Sequence, residues 1–241
     1  MCASKPSAEN ALLDSISAPA TSSAPLSSVS RETARPRAAT PLGASEAERG
    51  ARRIAGSVNS LESLGAALRD FEGCGLKATA TKLCFYRGAP QADVMLIGEA
   101  PGRDEDLAGE PFVGRAGQLL DRMLSAIGLT GRDVHITNIV YWRPPGNRTP
   151  TPQEALACRP FLERQIELVA PKILVALGGA AAKEVLGAAE GIMRLRGKWR
   201  EVAFGDRRIP AIATLHPAYL LRTPAAKQLA WMDLLQIKSK L

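Results

Sequence analysis

Cysteine is scarce in this chain: Cys2, Cys74, Cys84 and Cys158 are the only four, and they lie far apart. Such a set excludes a secreted disulfide framework. No stretch approaches the roughly 18 unbroken apolar residues of a membrane span. The N-terminus lacks a basic segment followed by an apolar one, so no signal peptide is read there. No apolar run precedes Cys2, which argues against a lipid anchor. The dinucleotide fingerprint Gly-x-Gly-x-x-Gly is missing. Gly178-Gly179 is followed by no Gly-Lys-Ser/Thr, so it is not a phosphate loop of that kind. The default setting is a reducing cytoplasm.

The length, 241 residues, suggests one domain plus a tail. Such a core needs no disulfide staple. The chain has 31 Lys and Arg against 24 Asp and Glu, a net charge of +7. Residues 1–50 are neutral, with Lys5, Arg31, Arg35, Arg37 and Arg49 set against Glu9, Asp14, Glu32, Glu46 and Glu48. The whole excess therefore lies in residues 51–241, and a basic body favours polyanionic partners. The Ala-, Ser- and Pro-rich N-terminal stretch has no sustained apolar period and reads as a disordered tail over 1–56. Its acidic residues argue against a mitochondrial-type presequence. The folded domain is expected over 57–241.

Leu61, Leu64, Leu68 and Phe71 recur at helical spacing, ended by Gly73 and Gly75. Asp93–Gly98 is a short apolar run that ends at glycine, as a buried strand does. A long loop follows, then a helical face of Leu119, Leu120, Met123, Leu124 and Ile127, stopped by Gly128. Val134–Val140 reads as a strand. Thr151, Pro152 and Glu154 form the start signal of a helix that runs to Val169. Lys172–Leu177 is a further strand, and Gly178-Gly179 opens a helix through Leu186. Trp199–Phe204 and Arg208–Thr214 flank Gly205-Asp206 as a hairpin. A last helix covers roughly Pro224–Leu241. Short apolar strands alternating with helices mean a parallel sheet covered on both faces. Ligands of such sheets bind beyond the carboxyl ends of the strands.

Three segments follow strands and carry chemistry. The first is Gly98-Glu99-Ala100-Pro101-Gly102-Arg103-Asp104-Glu105-Asp106, followed by Pro111-Phe112-Val113-Gly114. Its glycines let a ligand approach the backbone. An ordinary loop would explain the glycines and prolines but not four adjacent carboxylates. The second is Thr137-Asn138-Ile139-Val140, whose Asn offers both a donor and an acceptor. Alone, a turn-capping Asn is the plainer reading. The third is Leu215-His216-Pro217-Ala218-Tyr219-Leu220-Leu221-Arg222. His216 sits in a loop after a strand, where an imidazole can donate to a developing anion; site and structural roles stand even. His135, inside an apolar strand, reads as structural.

Together these segments resemble family 4 of the uracil-DNA glycosylase superfamily. The shared motifs are Gly-Glu-Ala-Pro-Gly, Pro-Phe-Val-Gly-Arg-Ala-Gly-Gln-Leu-Leu, Thr-Asn-Ile-Val, Arg-Pro-Pro-x-Asn-Arg, Arg-Gly-Lys-Trp and His-Pro-Ala-Tyr-Leu-Leu-Arg. They run in order from about Leu61 to Leu241. The resemblance implies a three-layer α/β/α sandwich around a central four-stranded parallel sheet. It implies a monomeric, monofunctional glycosylase that flips uracil out of DNA and leaves an abasic site, acting in the cytoplasm at the bacterial nucleoid. Phe112 would stack on the base and Asn138 would read its edge, with Gly98 and Ala100 lining the pocket. Glu99 would position the attacking water, since Ala100 stands where other families place an Asp. His216 would stabilise the leaving base, and Glu105 would lie near its C5 edge. Arg143, Arg148, Lys198 and Arg222 are candidates for phosphate contacts. Tyr219, Leu220 and Leu221 stand where a wedge into the base stack would sit, with a core role for the two leucines as the alternative.

The chain departs from the family at its iron–sulfur ligands, four cysteines in the usual members. Only Cys74 and Cys158 match ligand positions; Phe71 and Trp142 occupy the other two. Cys84 matches none and falls in an apparent strand, Leu83-Cys84-Phe85. Two thiolates cannot hold such a cluster in the usual way, so none is expected. Two other functions stay open: a glycosylase for other deaminated bases such as hypoxanthine or xanthine, and a catalytically silent DNA-binding relative.

Overall fold

The computed structural model describes residues 44–241. Residues 1–43 of the tail expected over 1–56 lie outside them. The elements, in chain order, are helices α1 (Ala44–Gly56) and α2 (Leu61–Asp70), strands β1 (Arg87–Gly88) and β2 (Val94–Gly98), and helices α3 (Arg103–Ala108) and α4 (Arg115–Ala126). Next come β3 (Val134–Asn138), α5 (Pro152–Val169), β4 (Ile173–Leu177), α6 (Gly179–Leu186) and α7 (Ile192–Leu195). The chain closes with β5 (Trp199–Phe204), β6 (Arg207–Thr214), α8 (Pro217–Arg222) and α9 (Lys227–Lys238).

The strands form one sheet in the order β1-β3-β2-β4-β6-β5. Its four central strands are parallel, with Leu96 opposite Ile136 on one side and Val175 on the other. The short β1 and the outer β5 pair antiparallel at the two edges. The expected four-stranded parallel core is therefore present, widened by two edge strands. Alternate residues serve opposite faces, as strand geometry requires. Met95, Ile97, Leu174, Ala176, Ala211 and Ala213 join a core with α1, α2, α5 and α6. Val94, Leu96, Val134, Ile136, Ile173, Val175 and Ile212 join a second core with α4 and α9. Two apolar layers separated by a sheet make the three-layer sandwich.

The helix starts follow their sequence signals. Thr151 caps α5: its hydroxyl accepts the Glu154 N–H (3.3 Å) while the Glu154 carboxylate accepts the Thr151 N–H (2.8 Å). Pro152 takes the first helical position. His135 is structural, as read. Its Nδ1–H donates to the Ala89 carbonyl (2.7 Å) and its Nε2 accepts from the Gln165 amide (2.9 Å). Burial pushes its pKa down to about 4.

Five expectations are corrected. The boundary at residue 57 falls too late, because α1 packs Ala47, Ala51 and Ala55 into the core. These i, i+4 alanines form a stripe too small to register as an apolar face, yet it seats against α5, with Arg52 bonded to Glu163 (3.0 Å). Leu83-Cys84-Phe85 is not a strand. The Cys84 N–H instead donates to the Tyr141 carbonyl (2.9 Å) and its thiol to the Glu105 carbonyl (3.1 Å). The long loop after Gly98 contains α3, and the segment after His216 is α8 rather than loop. The last helix begins at Lys227, after a tight 3-10 turn at Pro224–Ala226.

Candidate active site

The carboxyl ends of β2, β3 and β6 open into a cleft of about 450 Å³. Glu99, Glu105, Phe112, Asn138 and His216 all line it. Gly98, at the end of β2, sits opposite Asn138, at the end of β3. A Cβ at Gly98 would lie 2.4 Å from the Asn138 Oδ1 and 2.5 Å from the Phe112 ring. Only glycine lets those two side chains close over the strand end. Gly117 serves the same purpose beneath Phe112, where a Cβ would fall 1.5 Å from the Phe112 carbonyl oxygen.

Phe112 is buried and has a φ of 57°, a left-handed conformation that costs a bulky residue about 1–2 kcal/mol. The carboxylates beside it hold that geometry. Glu105 accepts the Gly102 N–H (3.1 Å) through Oε2 and the Gly114 N–H (2.9 Å) through Oε1. It thereby ties the start of the loop to its end, on either side of Phe112. The buried Asp106 accepts the Thr81 (2.7 Å) and Lys82 (3.1 Å) N–H groups. Two of the four carboxylates are thus loop braces. Glu99 accepts no hydrogen bond within the described residues and stays half-buried on the cleft wall beside Ala100.

Asn138 is 1% exposed, and its Oδ1 has no hydrogen-bond partner among the described residues. Leaving a buried acceptor unpaired costs about 1–3 kcal/mol, so such an atom calls for an explanation. The residue lines the cleft, so a ligand N–H is the candidate partner.

His216 is the N-cap of α8. Its Nδ1 accepts the Ala218 N–H (3.1 Å), which puts the ring proton on Nε2. Burial, with help from the Arg222 charge, lowers its pKa to about 4, so the ring is neutral at pH 7. The imidazole stacks on Phe112, with centroids 5.5 Å apart and planes at 28°. Gly178, with φ 92°, makes room for it: a Cβ there would lie 3.0 Å from the His216 Cβ.

The rim is cationic, but its charges differ in readiness. Arg222 lines the cleft, is exposed, and has no ion-pair partner among the described residues. Arg148 lines it too, but forms a two-point pair with Glu154 (2.7 and 2.8 Å). Arg143 donates to Asn147 (2.7 Å) behind the rim. Lys198 is exposed at the same edge of the sheet, at the start of β5, and does not line the cleft. Tyr219 is 37% exposed on the rim. Leu220 is not: it is 1% exposed and packs with Leu215, Ala226 and Ala230. A wedge role for Leu220 is corrected on that ground, since the turn of α8 points it into the core; Leu221 is half-buried. The sequence reading missed the cleft wall made by Pro144, Asn147 and Thr149. Its signal was the Pro-Pro-Gly-Asn turn, where Gly146 and Asn147 both take positive φ.

The four positions that match cluster ligands lie elsewhere, inside the apolar core. Phe71, Cys74, Trp142 and Cys158 are all buried there. Phe71 packs edge-on against Phe161, centroids 4.9 Å apart. The Cys158 thiol donates to the Cys74 sulfur at 3.8 Å, which pulls the Cys74 thiol down and pushes Cys158 up. Among the described residues, no three His, Cys, Asp or Glu side chains gather into a metal site. Two thiols and two packed aromatic rings do not fit a four-thiolate iron–sulfur cluster.

Comparison with known proteins agrees with this geometry. Residues 85–235 match the model of the uracil DNA glycosylase superfamily. A type-4 uracil-DNA glycosylase of Archaeoglobus fulgidus is 41% identical over 175 residues, which is 71% of this chain and 88% of that protein. One from Thermotoga maritima is 43% identical over 62% of this chain and 77% of its own length. One from Sulfurisphaera tokodaii is 37% identical over 75% and 84%. The chain thus belongs to the uracil-DNA glycosylase superfamily, among the type-4 enzymes.

Proposed function

We propose that this protein hydrolyses the N-glycosidic bond of uracil in DNA and leaves an abasic site, with the cleft at the carboxyl edge of the sheet as its active site. Family membership supports the reaction. One observation supports the assignment of residues: an unpaired buried acceptor, Asn138 Oδ1, shares the cleft with a neutral imidazole that carries its proton on Nε2.

Uracil presents an N–H beside a carbonyl, and the Asn138 amide complements that edge with its oxygen and its amino group. Phe112 supplies an apolar face for the extruded base. When the bond between C1′ and N1 breaks, the electron pair leaves with the base, which becomes an anion. The His216 Nε2–H donates to that anion, and being neutral it needs no prior protonation at pH 7. A preorganised donor of this kind is worth about 2.7–4 kcal/mol in comparable sites. Glu99 orients the water that adds to C1′ of the oxocarbenium-like sugar. Ala100 offers no second carboxylate for that task. Glu105 acts through the loop that carries Phe112, with both oxygens engaged by backbone. Arg222 and Tyr219 meet the DNA, and Arg143, Arg148 and Lys198 add to the basic edge.

The protein works as a monomer, with the chromosome, and without an iron–sulfur cluster; packing of Phe71 and Trp142 supports that last point.

The test is base release from single-stranded oligonucleotides carrying one uracil, hypoxanthine or xanthine, read by alkaline cleavage. Uracil release above the others is expected. Release of hypoxanthine or xanthine alone would reassign the substrate. DNA binding without any release would make the chain a silent relative.

A further inference from the structure

Two buried polar groups close to the cleft take no part in the chemistry above: the Asp233 carboxylate on α9 and the Thr214 hydroxyl at the end of β6, each 1% exposed. They are bonded to each other. The Thr214 hydroxyl donates to Asp233 Oδ2 at 2.6 Å. Arg196 completes the cluster, with Nε 3.1 Å from Oδ2 and Nη2 2.6 Å from Oδ1. Arg196 Nη2 also donates to the Leu229 carbonyl. The Arg-Gly-Lys-Trp motif, which DNA contacts alone do not explain, acquires a reason here. Arg196 is the two-point partner of the carboxylate. Gly197, with φ 69°, is glycine because a Cβ would lie 2.6 Å from Asp233 Oδ1.

This cluster ends two residues before His216. The backbone between them is held from the other sides as well. The Gly197 N–H donates to the Ala213 carbonyl (2.9 Å), and the Gly178 N–H donates to the Thr214 carbonyl (2.9 Å). Gly178 also lies against the His216 Cβ. A buried ion pair gives no reliable gain in stability over apolar packing, so its retention calls for another account. Fixing the strand end is one, because a catalytic group must be held to within about 0.5 Å of its productive place.

We propose that Asp233, through Thr214 and Arg196, is a positioning residue for His216: it sets where β6 releases the imidazole into the cleft, and it touches no substrate. The inference rests on His216 being the donor to the leaving base.

Thr214→Val tests it, because the shape and the Arg196–Asp233 pair are retained. The expected result is a kcat about tenfold lower with KM within twofold, since small misplacements of a reacting group are costly. Thr214→Ser should restore the rate. In a His216→Ala background, measured by single turnover, Thr214→Val should make no further difference. The chain has only His135 and His216, so ring nitrogen signals in NMR are readily assigned. Thr214→Val should shift or broaden those of His216 and leave those of His135 in place. Equal slowing in both backgrounds, no slowing at all, or unmoved His216 signals would overturn the proposal. Asp233→Asn should act in the same direction and more strongly; if it does not fold, Thr214→Val decides alone. If His216→Ala cleaves like the wild type, the donor assignment fails instead, and the ring signals still report whether Thr214 positions the imidazole.

Discussion

The cleft and the thiol-bearing core make opposite use of burial. In the cleft, polar atoms are buried and left free: Asn138 Oδ1 has no partner, and the His216 Nε2–H faces the opening. In the core around Phe71, Cys74, Trp142 and Cys158, the neighbours are largely apolar and the two thiols meet each other. An unpaired buried polar atom is a standing cost, tolerated where a ligand offsets it. A filled apolar core carries no such debt. The difference sets the cleft, which holds its polar residues at the carboxyl edge of the sheet, apart from the cluster-ligand positions, where two aromatic rings stand beside two thiols.

The sharpest way to break that comparison is at His216. His216→Ala should lower uracil release about 10²–10³-fold, as loss of one preorganised donor does elsewhere, while DNA affinity stays near the wild-type value. Single-turnover rates and fluorescence anisotropy give the two halves of the result.

Trp142→Ala should do the reverse. Emptying a packed aromatic site costs about 3–5 kcal/mol of stability, roughly a 10 °C fall in melting temperature for a domain of this size. The rate per folded molecule, measured in the cold, should hold. A Trp142→Ala protein that stays folded but no longer cleaves would tie the two regions together.

Two histidines respond to pH, His216 in the cleft and His135 inside β3. His135 and His216 are held at about 4 by burial, against about 6.5 in an unfolded chain. Between those values the unfolded state binds more protons than the folded one. Stability should therefore be full above about pH 6.5 and fall toward pH 4, by at most roughly 3 kcal/mol for the fully buried His135. Urea midpoints at pH 7.5 and 5 check the sign. A rate that depends on neutral His216 should hold down to about pH 5 and fall as the pH nears 4.

Glu105→Gln is gentler. It keeps one acceptor but sets an NH2 group against the other backbone N–H, so about a tenfold loss in rate is expected. Arg222→Ala is the mildest: DNA affinity should fall a few-fold for every sequence, and the slope of log affinity on log salt should shrink by about one.

The sequence made much of the frame legible because the frame is local. The apolar run Val94–Gly98, the helical face of Leu120 and Leu124, and the Thr151–Glu154 cap are read from neighbours in the chain. The cleft was legible too: Asn138 ends β3, His216 follows β6, and both line it with Phe112, while Gly98 at the end of β2 lies against Asn138 and Phe112. What stayed hidden depends on distant partners. The alanine stripe of α1 has meaning only against α5. Leu220 looks like a rim residue until α8 turns it into a core with Ala226 and Ala230. The bracing role of Glu105, which also lines the cleft, shows only where its oxygens meet Gly102 and Gly114. Asp233 carried no local signal, because its partners Thr214 and Arg196 lie 19 and 37 residues away.

The most direct test measures iron and uracil release on one preparation, purified without air. Far less than one iron per chain is expected, together with full, His216-dependent cleavage. Stoichiometric iron and sulfide, with cleavage lost when a chelator removes them, would contradict it.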